Sequence, residues 1–264
     1  MIEQYVNQQK SIRELSREFK KDRSTFKYWL QKYDIPIRST GEAKHLLNTN
    51  SVILSNEAKE FIYGELLGDM CIRCYSSYTA SILYTSKYKE YIKWLNKILV
   101  NYGIETSGKL RKSIYKFNYY SKNNLRYHYS SLCYPELLEI RNTFYENNIK
   151  IVPENLILTP ILIRQWYIGD GYLETTNNSI RLCTDNFTKS EIEILIHKFK
   201  EIGIECTITK LIRKDIKYRI RIRAKSKIDF LNYIGECPKE IENIYGYKFI
   251  KNYNNYAQRK NYNI

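Results

Sequence analysis

No run of apolar residues in the 264-residue chain approaches the roughly eighteen that a membrane-spanning helix needs, so no membrane span is expected. Met1 to Lys10 are polar and lack the apolar core of a secretion signal, and secretion is not expected. Cysteine is limited to six residues, which in a chain of intracellular character argues for reduced thiols rather than a disulfide framework. Cys71-x-x-Cys74 is half of a zinc site without a second pair at suitable spacing, and reads as packing thiols. Histidine is scarcer still: His45, His128 and His197 are scattered and compose neither a metal centre nor a nucleophile triad. No glycine-rich phosphate loop occurs, so nucleotide hydrolysis is not indicated.

Acids are also in deficit, 28 against 43 Lys and Arg, which gives a formal charge of +15. That excess is costly through self-repulsion unless a polyanion absorbs it, and nucleic acid is the natural candidate because neutralised phosphates release counterions. The 26 tyrosines carry no such meaning, since the chain is also rich in Ile, Asn and Lys and all four have AT-rich codons. With 43% hydrophobic and 27% charged residues the chain can build real cores, in one large domain or two ordinary ones.

Residues 1–38 read as three short helices. Ser11-Ile-Arg-Glu14 is a capping box that starts the second, with Ile12, Leu15 and Phe19 on one face. Asp22 caps a third helix over Arg23–Tyr33, whose buried stripe is Phe26, Trp29 and Leu30, and Pro36 stops it. Two helices around a tight turn match the helix-turn-helix outline, in which Arg23, Ser24, Thr25, Lys27 and Tyr28 face the major groove. Residues 39–56 read as a linker or lightly structured connection.

From residue 57 onward the chain is duplicated. Asp69 and Asp170 each end an apolar helical segment, Leu83-Tyr-Thr85 is echoed by Leu182-Cys-Thr184, and Tyr102-Gly-Ile-Glu105 by Ile202-Gly-Ile-Glu205. The three matches keep their order at offsets of about one hundred residues. Each half, 57–150 and 151–250, runs helix, two strands, helix, two strands, helix, which predicts an α+β fold with a pseudo-twofold αββαββα core. The first half uses Glu57–Asp69, Cys71–Ser76, Thr79–Thr85, Lys87–Tyr102, Leu110–Tyr120, Leu125–Ser130 and Pro135–Asn147. The second uses Thr159–Gly169, Gly171–Glu174, Ser179–Thr184, Lys189–Ile202, Glu205–Ile212, Lys217–Ala224 and Ser226–Ile234. A polar, basic tail over 251–264 closes the chain.

Period two along Lys217-Tyr-Arg-Ile-Arg-Ile-Arg223 puts Lys217, Arg219, Arg221 and Arg223 on one face. Arg126 and His128 make the corresponding face of the companion strand. A row of cations without interspersed acids makes sense against phosphates or guanine edges. Gly64 and Gly68, four apart, shave one face of the first motif helix and admit a close partner. A carboxylate at a helix C-terminus opposes the dipole, so Asp69 and Asp170 together make a negative pocket that calls for Mg²⁺ or a similar hard cation.

Ile62 to Met70, and Ile163 to Gly171 within Leu162-Ile-Arg-Gln-Trp-Tyr-Ile-Gly-Asp-Gly171, resemble the two signature helices of the LAGLIDADG homing endonucleases, in their single-chain, two-repeat, intron-encoded form. Lys150-Ile-Val-Pro153, Leu158-Thr-Pro160, Ser179 to Phe187 and Tyr245-Gly-Tyr-Lys248 are similar to later segments of that family, so the resemblance covers about residues 57–250. It implies a saddle-shaped monomer that cuts both strands of a DNA target with Mg²⁺ (or Mn²⁺) and leaves 3′ overhangs. Asp69, Asp170, Gly68 and Gly169 would form the metal set, with Lys150 and Lys248 as basic catalytic partners. Arg73, Lys109, Arg111, Arg126, His128, Arg181, Lys217, Arg219, Arg221 and Arg223 would contact the duplex beside the N-terminal module. Two positions depart from the pattern: Met70 replaces a glycine, and Gln165 fills a small-residue position. The runner-up is a non-catalytic binder on the same scaffold, an intron RNA maturase or a transcription regulator.

Overall fold

The computed structural model describes residues 1–47, 50–74, 77–106, 108–115, 124–212 and 215–251. The N-terminal segment folds as helices α1 (Ile2–Val6), α2 (Ile12–Glu18) and α3 (Arg23–Lys32) around a core of Tyr5, Leu15, Phe26 and Leu30. The Ser11–Glu14 capping box forms as expected, Glu14 N donating to Ser11 Oγ at 3.2 Å and Ser11 N to Glu14 Oε2 at 2.7 Å. Asp22 caps α3 through Ser24 N at 3.0 Å. Lys20, at φ +50°, supplies the left-handed step of the turn between α2 and α3. Two expected core residues differ: Phe19 is 44% exposed, because the helix ends at Glu18 and Phe19 is its C-cap, and Trp29 is only half-buried against Tyr33. Within the expected linker a further helix forms, α4 (Thr40–Leu47), started by Ser39 accepting from Glu42 N at 3.2 Å.

The duplicated region builds two antiparallel four-stranded sheets of identical topology. The first half contributes α5 (Asn56–Leu67), β1 (Cys71–Cys74), β2 (Ala80–Ser86), α6 (Lys89–Asn101), β3 (Arg111–Tyr115), β4 (Asn124–Ser130) and α7 (Pro135–Phe144), with sheet order β1-β2-β4-β3. A hairpin of β5 (Tyr145–Glu146) and β6 (Ile149–Lys150) follows. The second half contributes α8 (Pro160–Asp170), β7 (Gly171–Glu174), β8 (Ser179–Leu182), α9 (Lys189–Glu201), β9 (Cys206–Ile212), β10 (Ile216–Ile222) and α10 (Lys227–Ile234), in the order β7-β8-β10-β9. A short helix α11 (Glu242–Tyr245) and a 3-10 turn (Gly246–Phe249) end the described chain. The expected strand over Leu110–Tyr120 is confined to Arg111–Tyr115 among the described residues, and the tail from 252 onward lies outside them.

The repeated Tyr/Ile-Gly-Ile-Glu motif closes helices α6 and α9. Gly103 (φ +85°) and Gly203 (φ +77°) take the left-handed conformation that glycine adopts without a Cβ clash. The following amides reach back five residues, Ile104 N to Leu99 O and Ile204 N to Phe199 O, both at 2.9 Å. Ile104 and Ile204 are each buried, which gives the C-cap its apolar contact.

One expected helix is shorter than read. α7 stops at Phe144 rather than Asn147, because Asn147 (φ +48°) and Asn148 (φ +64°) form the two-residue turn of the β5–β6 hairpin. That turn carries Lys150 back beside Tyr145, whose hydroxyl accepts from Ile72 N at 3.1 Å.

Helices α5 and α8 pack together in the middle of a continuous core that includes Leu66, Ile163 and Trp166. Ser55 caps α5 and Thr159 caps α8, accepting from Ala58 N at 3.1 Å and Leu162 N at 3.3 Å. The contact is tight at Gly64: a Cβ there would lie 2.3 Å from Leu162 O and 2.8 Å from Gln165 Cβ. Gln165 is therefore accommodated by the glycine opposite it, and among the described residues its buried Oε1 has no hydrogen-bond partner.

Candidate active site

α5 and α8 deliver Asp69 and Asp170 to the same place by slightly different exits. α5 ends at Leu67, two residues before the expected Asp69, and Gly68 (φ −99°, ψ −137°) leaves the helix with its N–H on Glu65 O at 3.1 Å. Asp170 remains the last residue of α8. Across the interface, a Cβ on Gly169 would stand 4.0 Å from Gly68 Cα, and one on Gly68 would stand 4.0 Å from the Asp170 carboxylate. The acid-bearing ends thus converge, and at Gly68 and Gly169 they stand at ordinary contact distance. Met70 avoids positive φ, is fully buried and donates its N–H to Glu65 O at 3.1 Å, so the missing glycine costs the turn nothing.

Each half also supplies a lysine to the end of its motif helix. Lys150 Nζ donates to Gly68 O and Met70 O, both at 2.9 Å. Lys248 Nζ donates to Ile168 O at 2.7 Å and Tyr167 O at 3.3 Å. Carbonyls at a helix C-terminus attract cations, and both lysines occupy that position. The pair is not equivalent. Lys248 is buried, with Nζ 5.0 Å from the Tyr245 ring centre, whereas Lys150 lines a cavity of 270 Å³ with Asp69, Asp170, Cys183 and Asp185.

The electrostatics follow from burial. Desolvation, then the Asp69 charge, raises the Asp170 carboxyl to about 7. Glu65, one turn before Asp69, is buried beneath the pair and raised by desolvation to about 8, while Tyr91 donates to its Oε1 at 2.9 Å. Burial lowers both lysines, Lys248 to about 8. Sequence reasoning passed over Glu65, although an acid inside an otherwise apolar helix was a visible signal. It also passed over Asp185 and Cys183, whose place at the cavity depends on how the β8–α9 connection returns to Asp170.

Outward from this centre lie the two sheet faces. On the first, register places Arg111 opposite His128 and Arg126 opposite Ser113, on the face that carries Arg73. Lys109 is exposed just before β3. Desolvation, with Arg111 and Arg73 nearby, holds the His128 imidazole below its usual range. On the second, Ile220 and Ile222 are buried while Arg219 and Arg221 are half-exposed, as period two requires. The expectation of a cation row without acids is corrected. Asp185 pairs with Arg219 through two bonds of 2.6 Å, Glu174 accepts from Arg181 at 2.8 Å, and Glu205 pairs with Arg223 at 3.4 Å. These acids sit on β7 and in the β8–α9 and α9–β9 connections, so period-two reading of β10 alone could not reveal them. In the N-terminal module Arg23, Ser24, Lys27 and Tyr28 are exposed on α3 and Thr25 is half-buried. Cys71 and Cys74 fall on opposite faces of β1 and cannot share a metal.

Paired acids on duplicated helices, flanked by twin arginine-bearing sheets, define a two-repeat nuclease scaffold. Residues 59–230 match the LAGLIDADG DNA endonuclease family, and the chain belongs to it. Among relatives, it is 27% identical over 163 residues to uncharacterized protein MJ1098 of Methanocaldococcus jannaschii, covering 60% of this chain and 61% of that one. It is 26% identical over 175 residues to probable intron-encoded endonuclease 1 of Wickerhamomyces canadensis, covering 62% of this chain and 74% of the relative. In three dimensions it is similar to the homing endonuclease I-WcaI bound to its DNA recognition sequence, with a TM-score of 0.65, 21% identity, and coverage of 84% of this chain and 98% of that one. That likeness establishes the shared fold. No helix among the described residues is long and apolar enough to cross a membrane.

Proposed function

We propose that the chain is a site-specific endonuclease that seats duplex DNA along both sheets and cuts each strand once at the paired carboxylates, leaving 3′ overhangs. The convergence of Asp69 and Asp170 between two arginine-bearing faces carries this reading. One chain supplies both acids and both sheets, so a monomer suffices.

Asp69 and Asp170, with the carbonyls of Gly68 and Gly169, offer hard oxygen donors only. Cys183 and Asp185 line the same cavity, but among the described residues no group of three or more His, Cys, Asp or Glu is placed to hold one metal ion. Such a sparse set suits Mg²⁺ (or Mn²⁺), which keeps several waters and takes its other ligands from substrate phosphate. When bound, the metal supplies an activated water and steadies the attacking and leaving oxygens. The protein's part is positioning and charge. Burial favours a proton on Asp170, and a cation bound there would take that proton's place. Lys150, ordered by the Gly68 and Met70 carbonyls, places one positive charge at the cavity where phosphate charge develops. Lys248, buried under Tyr245, holds the end of α8 and offsets the acids from behind. Arg73, Lys109, Arg111, Arg126, His128, Arg181, Lys217, Arg219, Arg221 and Arg223 neutralise phosphates or read bases on either side. The N-terminal helices add a helix-turn-helix contact through Arg23, Ser24, Thr25, Lys27 and Tyr28, raising affinity by effective concentration.

The test is incubation with a randomised duplex library in Mg²⁺ and sequencing of the ends. One long motif with a fixed 3′ stagger is expected, lost with EDTA and in Asp69→Asn and Asp170→Asn, which keep their DNA affinity. Selective retention of structured RNA without cleavage would instead indicate a maturase. Lys150→Met should slow cleavage on the selected duplex with little loss of binding, whereas equal loss of both would make Lys150 a phosphate anchor.

A further inference from the structure

The two sheets share a topology but not a surface chemistry, and the difference is concentrated around one acid. Arg181 on β8 and Arg221 on β10 stand directly opposite each other. Like charges so placed repel, and their neighbours must hold them. Glu174, at the end of β7, accepts from Arg181 Nη2 at 2.8 Å and from Ser179 Oγ at 2.8 Å, and its Oε2 lies 3.8 Å from Arg221 Nε. Arg221 Nε in turn donates to Ser179 Oγ at 3.1 Å. Glu174 is only 17% exposed in this cluster. Arg221 has spent only its Nε: among the described residues its two Nη groups have no partner.

The first sheet lacks this arrangement at matching positions. Arg73 faces Ser81 as Glu174 faces Ser179, so a cation stands where the second repeat has its clamp. Leu83, opposite Cys71, takes the place of Arg181, which lies opposite Tyr172. The Leu83–Leu182 echo read from the sequence is therefore one residue out of structural register, Leu182 being buried and Leu83 half-exposed. Ser130, opposite Leu83, takes the place of Arg221.

A surface meant only to attract phosphate gains nothing from a half-buried carboxylate beneath its arginines, because the acid subtracts from the positive field. The acid is useful when orientation matters more than charge. Two planar guanidiniums held in fixed directions suit the paired acceptors O6 and N7 of guanine. We propose that Glu174 is a positioning residue that fixes Arg181 and Arg221 to read guanine in the half-site bound by the second repeat. The first repeat lacks this clamp, so the guanine preference falls in one half-site. The proposal rests on the DNA-binding reading above but not on cleavage.

The experiment is selection of a randomised duplex library by binding, with metal withheld, using the full chain and the variants Glu174→Gln and Arg181→Lys. The wild type should select guanine at one or two neighbouring positions in one half-site. Glu174→Gln should relax that preference by roughly 5- to 150-fold, the range a bidentate arginine–guanine contact provides. It should leave the other half-site unchanged and bind random duplex at least as well, since one negative charge is gone. Arg181→Lys should lose the same preference with its salt dependence intact. An unchanged guanine preference in Glu174→Gln, or relaxation spread evenly over both half-sites, overturns the proposal. So does weaker binding of Glu174→Gln to random duplex with an unaltered melting temperature, which would make the cluster a phosphate anchor. Selective binding without cleavage on adding Mg²⁺ would sink the endonuclease reading while leaving this one standing.

Discussion

Replacing Gly64 by alanine tests whether the helix pair that carries the acids is as tight as its geometry requires. The new Cβ would lie 2.3 Å from Leu162 O, and real contacts essentially never fall below 3.0 Å, so the helices must part by about 0.7 Å there. Overpacking of this kind costs ~1–3 kcal/mol. Alanine returns ~0.5–1 kcal/mol through its better helix propensity. Because the clash is with backbone at 2.3 Å, the cost falls toward the upper end, leaving a net destabilisation of up to ~2.5 kcal/mol. The same displacement reaches Asp69 and Asp170 at the ends of the two helices, and a misplacement near 1 Å can cost ~100-fold in rate. Urea unfolding followed by circular dichroism should therefore show a lower midpoint with an unchanged slope, alongside a cleavage rate reduced far more than DNA affinity. Gly68→Ala is the control for folding, because its Cβ would meet Glu65 O at 3.5 Å and the Asp170 carboxylate at 4.0 Å, both ordinary contacts. A Gly64→Ala protein as stable as the parent would mean that intrinsic helix preference outweighs the clash, and the reasoning would fail.

Raised carboxyls set the pH response of the metal-free protein. Asp170, near 7, and Glu65, near 8, keep protons in the folded state that the unfolded chain releases at about 4 to 4.5, so stability should fall as pH rises from about 5 to 8. Thermal melts at pH 5 and 7.5 should differ in that direction, and Asp170→Asn or added Mg²⁺ should narrow the gap; a rise in melting temperature toward pH 7.5 would contradict the assignment. The two helix-capping glycines offer a matched pair, since both have positive φ but differ in surroundings. Gly203→Ala should cost ~1–2 kcal/mol for the backbone alone, and Gly103→Ala more, because its Cβ would also meet Val52 Cγ2 at 2.8 Å. Equal costs in urea unfolding would show that Val52 moves aside freely.

The duplication was legible because its markers are residues that geometry constrains. Gly103 and Gly203 recur because each α6 or α9 terminus needs a left-handed residue, and Asp69 and Asp170 because each ends a central helix. Cap chemistry likewise gave the N-terminal helices through Ser11, Glu14 and Asp22. What stayed hidden depends on contacts between segments distant in sequence. The early end of α7 is set by the Asn147–Asn148 turn that pairs Tyr145 with Lys150, and an asparagine takes the left-handed conformation there only because the hairpin partner is in place. The acids beneath the arginines of β10 come from β7 and from connections, which strand periodicity cannot see. Burial of Glu65 follows from the closeness of α5 to α8 and from Tyr91 above it, two facts that only the assembled core contains.

That closeness has a consequence for how such a chain could arise. Gly64 and Gln165 occupy the same position of the two motif helices, and they face each other across the contact. In a twofold dimer of identical subunits the interface is isologous, and a position lying on the axis must meet its own copy. Glycine would face glycine, or glutamine glutamine, and the second arrangement would not let the backbones approach this far. A small residue opposite a large one requires two unlike halves, and this single polypeptide supplies them. Unlike halves thus free the axis from self-complementarity, and the same freedom allows Glu65 to stand where the other helix has Trp166.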